Sequence, residues 1–156
     1  NLMGKLYCGD FMFFERIFEL RELHDLHQKD IASILKIDRR TYSGWETGKV
    51  TIPLIHLNEL CNYYKVSMDY IVGISNNKNT IKFPKELNKA LIGKRILDLR
   101  NKYKLTQKDI ASLLNTTSST ICSYENGNTL LLTSFAYQIC IKYNLSMDFL
   151  CGRTNN

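Results

Sequence analysis

Gln28-Lys29-Asp30-Ile31-Ala32-Ser33 and Gln107-Lys108-Asp109-Ile110-Ala111-Ser112 are the same six residues, 79 positions apart. The register holds in both directions without a gap. Upstream, Arg16-Ile17-Phe18-Glu19-Leu20-Arg21 lies over Arg95-Ile96-Leu97-Asp98-Leu99-Arg100. Downstream, Glu46-Thr47-Gly48 lies over Glu125-Asn126-Gly127, and Ser67-Met68-Asp69-Tyr70 over Ser146-Met147-Asp148-Phe149. Residues 16–73 and 95–152 share 21 identities over 58 positions, far above chance, so the chain carries a duplicated domain.

Each copy reads as five short helices. In the first, Phe14, Ile17, Phe18 and Leu20 to Leu23 form a helical apolar stripe. A second helix is predicted from Gln28 to Leu35. A third starts behind Asp38, a good N-cap, and stops before Gly48. Pro53 suits the first turn of a fourth, and Ser67 caps a fifth that Gly73 ends. The second copy repeats this plan with Leu132 in place of the proline. No β-strand pattern is apparent, and the expected class is all-α. The expected divisions are an N-terminal extension (1–11), a first domain (12–74), a polar Asn-rich linker (75–84) and a second domain (85–153). Met12 is a candidate initiator, and residues 1–11 are expected to be poorly ordered. Pro84 is expected to open a long helix reaching Tyr103, with Leu87 and Leu91 on one side and Lys85 and Lys89 on another.

Composition narrows the function. No run approaches the roughly 18 apolar residues of a membrane span, and no signal peptide is evident, so a cytoplasmic protein without a membrane partner is expected. The formal charge is +6 and the pI about 9.1. The surplus falls after residue 75, with Lys78, Lys82, Lys85, Lys89 and Lys94. A basic balance suits a polyanion. Cys8, Cys61, Cys122, Cys140 and Cys151 contain no C-x-x-C pair and no zinc-ligand spacing, so free thiols and no metal are expected. His24, His27 and His56 have no triad partners in the pattern, and there is no Gly-rich phosphate loop. Neither catalysis nor a cofactor is expected.

The run Gln-x-x-Ile-Ala-x-x-Leu, a turn, a further helix and then Glu-x-Gly resembles the lambda-repressor/Cro (XRE-type) helix-turn-helix family, over about three quarters of the chain. The resemblance implies two tandem five-helix domains whose second and third helices form the bihelical unit. It implies that the third helix enters the major groove of double-stranded DNA, and that two such helices read paired half-sites. The function implied is a sequence-specific transcriptional regulator, a repressor, of the kind carried by a prophage or mobile element. The alternative is a protein-binding module: an antitoxin, or a phage-type inhibitor that turns one domain on a host protein.

The residues support the resemblance. Ala32 and Ala111 fall where the paired helices approach closely. Tyr42 and Trp45, three apart, share the inward face of the third helix. The outward face then carries Arg40, Ser43, Gly44 and Thr47, with Arg39 and Thr41 beside them and Lys49 just beyond. In the second copy Ile121 and Tyr124 point inward. Ser119, Cys122, Ser123 and Asn126 point outward, with Ser118, Thr120 and Asn128 alongside. Arg40 can pair bidentately with guanine. Gln28 and Gln107, at the start of the second helix, are candidates for phosphate. The resemblance further implies that Arg21 meets Glu46, and Arg100 meets Glu125, in partly buried salt bridges that set the third helix against the first.

Two arrangements place two recognition helices on DNA. A stretched linker from Ile74 to Phe83 reaches about 30–35 Å, close to the half-site spacing of roughly 34–36 Å, which permits an intramolecular pseudo-dimer. A homodimer is favoured because Arg40 aligns with Ser119 and Gly44 with Ser123, so the two copies in one chain would read unlike half-sites. The last predicted helix ends close to Asn156, and no separate oligomerisation domain is expected.

Overall fold

The computed structural model describes residues 5–8, 11–78 and 86–155. The chain divides into two compact units, residues 1–85 and 86–156.

The first unit has five helices: α1 (Glu15–Leu23), α2 (Gln28–Ile34), α3 (Arg39–Glu46), α4 (Leu54–Tyr64) and α5 (Met68–Ile71). Local chemistry sets their ends. The Asp30 carboxylate accepts the His27 amide at 2.7 Å at the start of α2. Asp38 accepts the Arg40 amide at 2.7 Å at the start of α3. Ser67 Oγ accepts the Tyr70 amide at 3.0 Å at the start of α5. Each bond satisfies an amide that the helix itself leaves unpaired. Pro53 is the N-cap of α4, one residue before the first turn in which the sequence places it. The core gathers Ile17 and Leu20 of α1, Ile31 of α2, Tyr42 and Trp45 of α3, Leu57 and Leu60 of α4 and Met68 of α5.

The class is all-α, as expected, apart from a strand pair at the chain start that the sequence pattern did not show. Two strands, β1 (Lys5–Cys8) and β2 (Phe11–Phe14), pair antiparallel ahead of α1, with Lys5 opposite Phe14 and Cys8 opposite Phe11. The strands take in residues 5–8 and 11 of the expected N-terminal extension. Residues 1–4, 9 and 10, which share the expectation of poor order, lie outside the described residues. β2 is held to the domain: Met12 and Phe14 are buried, the Met12 amide donates to Thr51 Oγ1 at 2.9 Å, and Phe13 packs against Gly48. An all-apolar run of four shows no strand alternation, which is why it escapes a period-based reading.

The second unit contains α6 (Lys89–Lys102), α7 (Gln107–Leu113), α8 (Ser118–Glu125), α9 (Thr133–Tyr143) and α10 (Met147–Leu150). Helix α6 is longer than α1, as predicted, but starts later than Pro84: Asn88 is its N-cap, and Asn88 Oδ1 accepts the Leu91 amide at 3.1 Å. Pro84 and Lys85 lie outside the described residues. Leu91 lies against Gly152 of its own unit. The first linker residues are not free either. The Lys78 carbonyl accepts the Ser67 amide at 2.8 Å, and Arg16 donates to the Ser75 carbonyl at 2.6 Å and to Asn76 Oδ1 at 2.5 Å.

The two units solve one packing problem differently. The extra turns of α6 run past the end of α8, where a Cβ on Gly93 would sit 2.3 Å from the Tyr124 carbonyl oxygen and 2.6 Å from that of Glu125. Only glycine permits that approach. In the first unit the aligned residue is Phe14, at the end of β2, so a strand replaces the helical turns. Gly44 is a different case: a Cβ there would meet Val50 at an ordinary 3.8 Å. Gly93→Ala should therefore destabilise the protein by about 1–3 kcal/mol through overpacking. Gly44→Ala should stabilise it by about 0.5–1 kcal/mol through helix propensity. Denaturant titration of both variants checks the opposite signs; a Gly93→Ala protein as stable as wild type would show that α6 does not depend on the glycine.

Candidate nucleic-acid interface

The third helix of each unit is fixed by a charged clamp. Arg21 on α1 meets Glu46 at the end of α3 through two bonds, Nε to Oε1 at 2.7 Å and Nη2 to Oε2 at 3.2 Å. Arg100 on α6 meets Glu125 on α8 with the same two distances. The fork is completed from behind: Arg21 also donates to the Leu26 carbonyl at 2.7 Å, and Arg100 to that of Leu105 at 3.1 Å. Arg21 has a further partner in Glu22; the second copy has Asn101 there. The hydrogen bonds to Glu46 hold the Arg21 guanidinium protonated more firmly than usual, and Glu125 does the same for Arg100. Burial, then the Glu46 carboxylate, keeps the Tyr42 phenol well above its ordinary pKa.

Gln28 and Gln107 take part in this clamp. Gln28 Nε2 donates to Glu46 Oε2 at 2.9 Å, and Gln107 Nε2 to Glu125 Oε2 at 2.7 Å. Their amide nitrogens, considered for phosphate on sequence grounds, are thus engaged within the domain. Gln28 Oε1 faces outward enough to accept Arg39 Nη1 at 3.4 Å. Behind α3, Tyr42 and Trp45 pack edge to face with ring centroids 5.9 Å apart, and His56 of α4 lies 5.2 Å from Trp45.

The outward face of α3 presents Arg39, Arg40, Thr41 and Thr47 as exposed side chains, with Lys49 exposed just past its end. Ser43 is half-buried, and its carbonyl accepts the Thr47 hydroxyl at 2.8 Å. Gly44, placed outward by the 100° rule, is buried beside Val50, because the chain turns back after Gly48 and the Lys49 and Val50 amides return to its carbonyl at 2.9 and 3.2 Å. An open groove beside α3 is lined by Arg21, His27, Gln28, Lys29 and Arg39.

On α8, Ser118, Ser119 and Asn126 are exposed, and Asn128 follows, also exposed. Hydroxyls here bond to one another: Thr120 to Thr117 at 3.0 Å, and Ser123 to Thr129 at 2.9 Å. Asn126 Nδ2 donates to Cys122 Sγ at 3.3 Å. Ile121 and Tyr124 are buried, as the spacing predicts.

Three features were not found in the sequence. Arg16 and Arg95 donate to the Tyr70 and Phe149 carbonyls and lie over those same rings at 4.4 and 4.2 Å, pinning α1 to α5 and α6 to α10. Their shared register was the available signal. Arg153 donates to Asp148 at 2.9 Å in a buried ion pair, where the first copy has Ile74. Lys89 reaches the Asn128 carbonyl at 3.5 Å from the first turn of α6.

Residues 17–71 match the family model described as Helix-turn-helix, and residues 93–150 a second described as Helix-turn-helix domain. The chain belongs to the XRE-type helix-turn-helix family, with two tandem domains. An uncharacterized HTH-type transcriptional regulator of Bacillus subtilis (strain 168), YobD, is 33% identical over 66 residues, 42% of this chain and 59% of that protein. The antitoxin PezA of Streptococcus pneumoniae serotype 4 is 36% identical over 62 residues, 40% of this chain and 39% of the relative. A crystal structure of a transcriptional regulator from Listeria innocua is similar over 42% of this chain and 61% of that one, at 25% identity and a TM-score of 0.39. The chain thus spans only part of the length of each. Among the described residues no helix is long and apolar enough to cross a membrane.

Each helix-turn-helix depends on its clamp. Glu46→Ala would leave a guanidinium whose side chain is 9% exposed with only Glu22 at its rim and the Leu26 carbonyl, so it should cost about 2–4 kcal/mol, a drop on the order of 10 °C in its domain's midpoint. Glu125→Ala should cost less, because Arg100 is 19% exposed. Thermal melts of both single variants check the size and the order.

Proposed function

We propose that this tandem helix-turn-helix chain is a sequence-specific, double-stranded DNA-binding transcriptional regulator that acts as a repressor, by occupying the promoter it recognises. The observation that carries this reading is the exposed pair Arg39 and Arg40 on the first turn of α3, a helix whose other face is buried through Tyr42 and Trp45 and whose end is clamped through Glu46. A rigid helix of eight residues is about 12 Å long and suits a major groove about 12 Å wide. Guanidinium forks on its first turn match the O6 and N7 acceptors of guanine. Thr41, Ser43, Thr47 and Lys49 complete this face, and Ser118, Ser119, Thr120, Ser123, Asn126 and Asn128 form its counterpart on α8. A fluorescence-anisotropy titration of duplex DNA tests it: Arg40→Ala should weaken binding to the preferred duplex by roughly 1–3 kcal/mol while leaving the melting temperature in place. Equal affinity in the variant removes α3 as the reader. A wild-type protein that binds no duplex at low salt would favour the second reading, a protein partner, to which the antitoxin relative and the uncharged α8 face lend support.

Specific binding by this family needs two half-sites. The unlike faces of α3 and α8 favour pairing of like domains from two chains over pairing within one. Light scattering at about 10 µM, a concentration suited to a moderate interface, should give twice the 18.1 kDa of one chain. A mass of one chain, retained on the operator, establishes the intramolecular arrangement instead.

A further inference from the structure

The two copies keep their cations in different places, and the exchange is reciprocal. Arg39, Arg40 and Lys49 of the first are exposed on or just beyond α3; 79 residues on stand Ser118, Ser119 and Asn128, all exposed and all uncharged. Asp38, the acidic neighbour of the arginines, is engaged as the N-cap of α3. Two positions flanking the second helix pair change the other way. Asp25, in the turn before α2, becomes Lys104 in the turn before α7; both are exposed and both take a left-handed backbone, φ 51° and 54°. Lys89 stands on turns of α6 that α1 lacks, and its amine lies 3.5 Å from the Asn128 carbonyl just after α8. The whole units follow the same trend. Residues 11–78 hold nine Lys and Arg against nine Asp and Glu, whereas residues 86–155 hold nine against five.

We propose that the two domains divide the work on DNA: the first reads bases through Arg39 and Arg40, and the second holds the phosphate backbone, without regard to sequence, through Lys89 and Lys104. The proposal rests on the DNA-binding reading above and assigns its parts. The forked donors of arginine match a guanine edge, whereas serine hydroxyls accept and donate to any base and discriminate weakly. Lysine is a compact point charge on a flexible stem, suited to a phosphate and indifferent to sequence. Lys104 and Lys89 lie at opposite ends of the second helix pair, one before α7 and one beside the residue after α8. Phosphate contacts from such flanks fix register while the face between them stays uncharged.

The test uses the full chain and two probes: a randomised duplex pool, and the duplex that the wild-type protein enriches from it. Binding is measured by anisotropy across a salt series. Arg39→Lys with Arg40→Lys keeps the charge and removes the forks. It should lower discrimination between the two duplexes by about 10-fold or more and leave the salt slope on the unselected pool nearly unchanged. Lys89→Gln with Lys104→Gln should weaken both duplexes alike and reduce that slope by about 1.8, or 0.9 per lost phosphate contact. All four side chains are exposed, and circular-dichroism melts confirm that the variants fold. Retained discrimination in the arginine variant, or an unchanged slope in the lysine variant, overturns the division. A wild-type protein that binds neither duplex at low salt overturns the DNA-binding reading itself, a distinct result.

Discussion

The bidentate bond from the first helix of each unit to the glutamate ending the third is the constraint on which the rest of each domain depends. α3 has eight residues and α2 seven, too few to hold a helical shape in water alone. Their order comes from docking, and docking an amphipathic helix on an apolar core leaves its rotation and its slide along the axis loosely set. A guanidinium fork on a carboxylate fixes both, because two parallel bonds form in only one relative pose. The glutamine that opens the second helix donates to the same carboxylate. One side chain, Glu46 or Glu125, thereby ties three helices together. The cost of burying the pair is offset by a carboxylate with three donors and a guanidinium with a backbone carbonyl besides.

A second constraint follows from the first. Once the end of the recognition helix is drawn against the first helix, the chain preceding that helix must clear the two carbonyls at the C-terminal end of the recognition helix. The second unit does it with a continuous helix and a glycine, Gly93, under the Tyr124 and Glu125 carbonyls. The first ends its helix earlier, places Phe14 in the core and covers the same region with a strand whose Met12 amide bonds to Thr51. Sequence so alike in register, with 21 identities over 58 positions, still supports different secondary structure at its edge, because the requirement is to fill a space and satisfy amides, and either element does both.

This explains what the sequence could show. The repeat, the ten helices among the described residues and the inward faces of α3 and α8 were legible because each rests on periodicity or on residues shared by both copies at one offset; the clamp was legible through the family resemblance, which implies it. The strand pair was not, because Phe11-Met12-Phe13-Phe14 has no alternation. The start of α6 was placed at Pro84 because proline is the stronger general marker, yet Asn88 supplies a real acceptor for the Leu91 amide. Gly44 defeated the helical wheel for a tertiary reason: the wheel knows the helix and not the loop, and Val50 returns to cover that position. Gln28 is a candidate for phosphate by its place at a helix start, and its bond within the domain was not legible. Its amide is turned inward by Glu46, 18 residues away in sequence, which no local pattern encodes.

The residues of the clamp are shared by the two copies, whereas most of the outward face of α3 is not. Arg21, Ile31, Ala32, Glu46 and Met68 match their counterparts and are buried or clamped. Arg39, Arg40, Thr47 and Lys49 differ from theirs, and all four are exposed. A substitution at an exposed helix position away from caps and clamps changes stability by less than about 0.5 kcal/mol, so this face is free to vary without loss of fold, whereas the clamp is not. Duplication adds the step that a single domain lacks. One copy carries arginines on this face and the other serines, while the scaffold of the second, and therefore the placement of its helix pair, stays fixed by Arg100, Gln107 and Glu125.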